Sequence, residues 1–230
     1  FIFTFLASIL SVFFSLSLPN IYTSDAKLAS VSSDESSLNN ISKQLGGLAS
    51  FAGVSLGSGQ ADKTSLGLEV LKSRQFFNTL ITNYDFLVPL MASNGWDSET
   101  NSLVFNSDIY NAKTKKWTEP IGDTGPSIQE AHQLFLKKIN ISQDKLTGII
   151  NVSIEHYSPF IAKYWLESII KEINEITRIE DIDKAKRSIK YLNKEIESTK
   201  IADVKVGLNN LVENQIEKIM IAQATPEYLF

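Results

Sequence analysis

The chain has 230 residues, a formal net charge of −4 and no cysteine. The acidic balance supplies no electrostatic footprint for nucleic acid. The missing cysteines remove disulfides, thiolate nucleophiles and cysteine-based zinc sites together, and two histidines, His132 and His156, leave little for a metal centre.

Residues Phe1 to Leu18 form an apolar run with five Phe, diluted only by Thr4, Ser8, Ser11, Ser15 and Ser17, ahead of Pro19. A bilayer core about 30 Å thick takes roughly 17–25 helical residues. Ser and Thr are tolerable there because a helix can return their hydroxyls to its own carbonyls. The run predicts a first transmembrane helix over 1–18, truncated at its N-terminus because no Met, Lys or Arg precedes it. Leu16 and Leu18 stand where a cleaved signal peptide wants small residues, and five Phe with no charge are unusual for a buried helix of a soluble core.

Asn20–Val31 reads as an extended strand, and Ser32–Asn40 as a loop leading into a short helix near Leu38–Phe51. Gly53–Lys63, rich in Gly and Ser, reads as a flexible loop. Thr64–Tyr84 carries Leu66, Leu68, Val70, Leu71, Phe76, Phe77, Leu80 and Ile81 at mostly helical intervals. Asp85–Trp117 is irregular, and Ser127–Ile139 returns to helix. Lys138–Ser142 and Leu146–Glu155 flank Gln143-Asp144-Lys145 as a β-hairpin, with Ile150, Val152 and Ile154 alternating onto one face. Ser158-Pro159 then supplies an N-cap and a Pro at the first helical position, where its missing N–H costs nothing.

From Pro159 to about Lys200 there is no Gly and no further Pro. Ile169, Ile173, Ile176, Ile179, Ile182, Ala185, Ile189, Leu192 and Ile196 recur at about 3.4 residues, near the 3.5 of a packed helix seam. Such a helix runs roughly 60 Å, too long for an ordinary compact domain. Glu167/Lys171, Glu180/Lys184 and Asp183/Arg187 offer i,i+4 pairs on its wet face. Ile201–Gln223 continues as helix, folding back near Gly207, and Pro226–Phe230 looks like the start of a strand. The seam residues Ile169, Ile173, Ile176, Ile182, Ile189, Leu192 and Ile196 are the candidate interface for an oligomer.

No catalytic, cofactor or metal site emerges. Gly57-Ser-Gly-Gln-Ala-Asp62-Lys63-Thr64 approximates a phosphate-binding loop, but Asp62 stands where the second Gly is needed. Asp123-Thr-Gly125 has the letters of an aspartic-protease motif between turn-like flanks and reads as a turn. His156 reads as a junction histidine, and His132 lies in a helix without zinc-ligand spacing. Asn40, Asn140 and Asn151 head glycosylation sequons that arise readily by chance. Lys186, Lys190 and Lys194 line one helix face. A solvated stripe is the default reading there, with contact to an anionic polymer or a neighbouring subunit as the alternatives.

Gly148-Ile-Ile-Asn-Val-Ser-Ile-Glu-His-Tyr-Ser-Pro-Phe-Ile-Ala-Lys-Tyr-Trp165 resembles the strand-to-helix passage of the Wzz-type chain-length determinants, the polysaccharide co-polymerases. Asn174, Arg178, Asp181, Ala185, Ile189-Lys-Tyr-Leu192, Ile196 and Thr199 are similar to the helix that follows in that family. Leu211-Val-Glu-Asn-Gln215, Met220-Ile-Ala-Gln-Ala and Glu227-Tyr-Leu-Phe230 resemble its closing helix and strand. Leu18-Pro-Asn-Ile-Tyr-Thr-Ser-Asp-Ala26, Leu45-Gly-Gly-Leu-Ala-Ser-Phe-Ala-Gly53 and Leu71-Lys-Ser-Arg74 resemble its earlier signatures. Asp85–Gly125 carries none.

The resemblance implies an α+β, membrane-anchored periplasmic domain. A small mixed α/β base (19–157 and 224–230) lies near the membrane and carries a very long helix (158–200) and a return helix (201–223). A second transmembrane helix of the family is missing from the chain. The resemblance further implies a non-catalytic regulator of O-antigen or related surface polysaccharide length in lipopolysaccharide biosynthesis. It implies the bacterial inner membrane as location, with the bulk of the chain in the periplasm and helices packed side by side in a homo-oligomer. Partners would be further copies of the chain, the membrane polysaccharide polymerase, the lipid-linked polysaccharide and the lipid bilayer, with no cofactor and no nucleic acid. The alternative is the periplasmic half of a capsule or exopolysaccharide tyrosine autokinase. A tethered sensor or efflux adaptor is a third reading, but only short strands are available for the β-domain it needs.

Overall fold

The computed structural model describes residues 2–17, 19–29, 59–118, 122, 125–144, 146–225 and 227–229. The expected Ser32–Asn40 loop, the helix near Leu38–Phe51 and the Leu45–Gly53 signature lie outside the described residues. So does the Gly53–Lys63 loop up to Ser58.

The apolar run folds as helix α1, Ile2–Ser17, of 16 residues. At 1.5 Å per residue that is about 24 Å, short of the roughly 30 Å of a hydrocarbon core. Among the described residues no helix is long and apolar enough to cross a membrane. The expectation of a membrane-anchored α+β domain is therefore corrected in its anchor. The run does form a helix, and its described span, Ile2–Ser17, is not long enough to cross a membrane. The fold is mixed α/β with one long helix.

Two compact units make up the chain. The first takes in 1–27, 77–142 and 151–167. Strands β1 (Tyr22–Leu28), β6 (Ile139–Gln143) and β7 (Ile150–His156) form a sheet in the order β1-β7-β6. The central strand β7 buries Ile150, Val152, Ile154 and His156 and leaves the residues between them less covered, as a period of two demands of a one-sided strand. Only a short connection joins β6 to β7, so these neighbours run antiparallel. Its tightness comes from Asp144, whose carboxylate accepts the N–H groups of Leu146 (2.8 Å) and Thr147 (3.3 Å).

Helix α5, Ile128–Lys138, starts at Ser127, whose hydroxyl accepts the Glu130 N–H at 3.2 Å. Glu130 lies three residues into the motif, and Lys137 and Lys138 close the last turn, so both ends suit the helix dipole. Its buried face presents Ala131, His132 and Phe135. Phe77 stacks on Phe135 with ring centroids 5.0 Å apart, and Phe86 stacks on Trp165 at 4.6 Å. Such pairs add about 0.5–1.5 kcal/mol beyond area burial.

The stretch expected to be irregular holds a short helix and two hairpins. Helix α4, Leu87–Ala92, leads into β2 (Ser93–Asp97), which pairs antiparallel with β3 (Ser102–Phe105). Strands β4 (Tyr110–Asn111) and β5 (Lys116–Trp117) make a second ladder. Side chains close both turns. Asp97 accepts from Glu99 N and Thr100 Oγ1, and Asn111 accepts from Lys113 N and Thr114 N. Asn101 and Lys115 occupy positive φ at the turn ends.

The second unit takes in 28–76, 143–150 and 168–230. The single helix expected over Thr64–Tyr84 is two, α2 (Gly59–Leu71) and α3 (Arg74–Tyr84). Ser73 divides them because its hydroxyl accepts the Phe76 N–H at 3.1 Å and caps the second helix. Helix α6, Pro159–Ser198, has 40 residues, and α7, Ala202–Ala224, has 23. The chain turns at Thr199–Ile201, earlier than the expected Gly207, which lies inside α7 with open space where a Cβ would stand. Ile169, Ile173, Ile182, Ala185, Ala222 and Leu229 are buried in this unit. No strand forms over 227–229.

Candidate functional site

The chain's last described residues are clasped to the long helix. The backbone N–H of Leu229 donates to Asn174 Oδ1 at 2.7 Å, and Tyr228 Oη donates to Asp181 Oδ2 at 2.9 Å. Asn174 is itself aimed by its Nδ2, which donates to the Ile170 carbonyl one turn back at 3.0 Å. Burial, with the Asp181 carboxylate second, pushes the Tyr228 phenol well above its usual range and keeps it a donor. Leu229 also fills the space beside Gly67, where a Cβ would stand 2.6 Å from Leu229 Cδ2.

The packing of the chain decides which seam residues of α6 are open. Ile169 is 1 % exposed, Ile173 0 % and Ile182 8 %, so the chain's own core leaves them no surface for a second subunit. Ile176, Ile189, Leu192 and Ile196 are partly exposed. Ile179 and Tyr191, at 48 % and 64 %, are open. The accessible residues of the expected interface are thus Ile176, Ile189, Leu192 and Ile196, toward the C-terminal half of the helix.

Along that half, α6 and α7 border an open groove of about 570 Å³ lined by Lys184, Arg187, Ser188, Tyr191, Leu192, Leu211 and Gln215. It offers two cations, a phenol ring, a hydroxyl, a carboxamide and two apolar side chains, and no carboxylate. From residue 184 to 194 the helix carries Lys184, Lys186, Arg187, Lys190 and Lys194 without one acidic residue, in a chain whose net charge is −4. All five cations are exposed. Lys184 pairs with Glu180 at 2.9 Å, as the i,i+4 spacing expects. Asp183 and Arg187 do not form an ion pair among the described residues, and Glu167 pairs with Lys163 rather than Lys171.

The other sequence motifs fall elsewhere. His156 is buried at the strand-to-helix junction, its Nδ1 accepting the Ser158 N–H at 3.0 Å and its Nε2 lying 3.3 Å from the Pro89 carbonyl. The Trp165 ring meets it edge-on at 4.7 Å. Burial foremost holds its pKa below the ordinary value. His132 is buried against Phe77. Asp123 and Thr124 lie outside the described residues, while Gly125 sits at φ +73° against the Trp117 indole. Gly57 and Ser58 also lie outside, and the chain from Gly59 is helix rather than a phosphate cradle. Among the described residues no three His, Cys, Asp or Glu could hold a metal ion.

Periodicity missed the clasp. Its one sequence signal is Asn174, a carboxamide directly after Ile173 in the buried stripe, where an unpaired polar group is costly. Lys186, Lys190 and Lys194, the stripe read from sequence, are exposed but do not line the groove; of its lining residues Leu192 was marked as a seam position, while Arg187, Tyr191 and Gln215 were not grouped with it. Compared with known proteins, the chain matches no family model and no curated protein.

Proposed function

We propose that the chain is a regulator of surface polysaccharide length, of O-antigen or a related polymer. On this reading it works as a homo-oligomeric scaffold beside the membrane polymerase and catalyses no step itself. The observation that carries the reading is the clasp. Asn174 and Asp181, from the helix segment that resembles the Wzz-type co-polymerases, are bonded to Leu229 and Tyr228, from the closing segment that resembles the same family. Two stretches that look alike to one family for separate reasons are one piece of physical machinery here. A second support is the helix itself. Forty residues of α6 leave Ile176, Ile179, Ile189 and Ile196 at least partly exposed. Copies of the same helix packed alongside would cover these apolar side chains.

Deletion of the gene in its source bacterium, followed by gel electrophoresis of the surface polysaccharide, tests the reading. The expected result is loss of the preferred length and a broad ladder. An unchanged ladder contradicts it.

A further inference from the structure

We propose that the groove between α6 and α7 is a binding site for an acidic glycan, a polysaccharide segment carrying carboxylate or phosphate groups. The choice of a glycan rests on the function proposed above; the demand for negative charge does not.

Charge is the first ground. Five cations fall within 11 consecutive residues, 184 to 194, and no acidic side chain lies among them or lines the groove. At 3.6 residues per turn, Arg187, Lys190 and Lys194 lie within about 60° of one another around the helix, and Tyr191 is about 40° from Arg187. Of the five cations, Lys184 and Arg187 line the groove, while Lys190 and Lys194 continue a basic strip along the helix beside Arg187. From Arg187 to Lys194 it extends about 10 Å, enough to follow a short glycan segment. Arg187 has no ion-pair partner among the described residues, so its planar fork is open to a carboxylate or phosphate.

The lining is the second ground. Tyr191 is 64 % exposed and presents a ring on which the C–H face of a sugar can stack. Ser188 and Gln215 supply hydrogen-bonding groups for sugar hydroxyls, with Leu192 and Leu211 beside them. A bare basic helix face would serve any polyanion equally. A cleft with an aromatic wall and neutral polar groups favours a flexible chain of rings over a flat anionic bilayer. The net charge of −4 also disfavours duplex nucleic acid beyond this strip.

The test is calorimetric titration of the full chain with oligogalacturonate and, as a neutral match, dextran of the same length, at low and high salt. Oligogalacturonate is expected to bind, more weakly at high salt, and dextran not to bind. Arg187→Gln and Tyr191→Ala should each weaken binding by about tenfold or more, while Lys137→Gln, on α5, should leave it unchanged. Circular dichroism checks that each variant keeps its helix content. Binding that survives the Arg187→Gln/Tyr191→Ala pair overturns the site, as does equal binding of dextran. Equal, variant-sensitive binding of duplex DNA or anionic phospholipid vesicles also overturns it, because the groove is then a general polyanion face. A broadened ladder on gene deletion, with no glycan titration, removes the site and leaves the function. An unchanged ladder with groove-dependent titration removes the function and leaves the site.

Discussion

The backbone N–H of Leu229 donates to the Asn174 carboxamide at 2.7 Å across 55 residues of sequence. Asn174 is 4 % exposed and Leu229 4 %, so neither group has water as an alternative. That bond fixes the closing segment against the long helix, and the neighbouring Tyr228–Asp181 bond at 2.9 Å fixes it a second time, two turns further along.

Replacing Asn174 by Ala strands the buried Leu229 N–H. A buried donor left without an acceptor costs about 1–3 kcal/mol. Urea unfolding of Asn174→Ala should show a loss in that range, whereas Asn193→Ala, exposed on the same helix, should stay within about 0.5 kcal/mol of the parent. Equal effects at the two positions would mean that the clasp contributes nothing.

The core of the first unit is anchored by Trp165, whose ring stacks on Phe86 at 4.6 Å and meets His156 edge-on. Trp165 is 1 % exposed. Trp165→Ala is expected to lose about 3–5 kcal/mol, read by chemical denaturation. A loss below 1 kcal/mol would contradict the packing described.

Gly125 has φ +73°, and a Cβ there would stand 2.7 Å from Trp117 Nε1. Left-handed backbone and close approach both exclude a side chain. Gly125→Ala should therefore destabilise by about 1–3 kcal/mol. In a Trp117→Ala background the contact part vanishes and only the backbone part remains, so the two substitutions should be non-additive. Simple additivity would leave the indole without a role in the Gly125 requirement.

His156 gives the fold a pH dependence of known sign. Burial favours the neutral ring, so the folded pKa lies below the unfolded value of about 6.5. Its contribution to stability is fully present above that value. It is lost as pH falls from there through the folded pKa, because the unfolded chain takes up the proton first. Melting temperature should fall from pH 8 to pH 5, with a shallower fall in His156→Asn, whose carboxamide oxygen can still accept from Ser158. A variant slope as steep as the parent's would remove His156 from the effect.

How much was legible follows from the range of each interaction. Helix α6 could be read because 40 residues free of Gly and of any Pro after Pro159 carry an unbroken isoleucine period. The β6–β7 hairpin and the helix start at Pro159 were legible for the same reason, since alternation and the fixed φ of a first-turn proline act between near neighbours. The division at Lys72-Ser73 was missed because no Gly or Pro marks it, only a serine hydroxyl turned onto Phe76. The small hairpins after Ser93 were missed because Asp97 and Asn111 hold their turns while the strands are two to five residues long. The opening run was over-read, since five Phe describe hydropathy and not helix length. For the candidate site, the lysine stripe was visible as a helical repeat, but it runs beside the groove lining and not in it. The wall that α7 contributes, Leu211 and Gln215, depends on where the chain reverses, and no local pattern specifies that.

The central claim is that assembly of this chain along α6 sets polymer length. Its most direct measurement is the surface polysaccharide ladder of the deletion strain carrying either the parent gene or Ile189→Asp. Light scattering reports the oligomeric state of each purified protein, and circular dichroism its helix content. The account predicts that the parent restores a preferred length and forms an oligomer, whereas the folded Ile189→Asp protein is monomeric and leaves the ladder broad. A preferred length restored by a monomeric Ile189→Asp protein would contradict it.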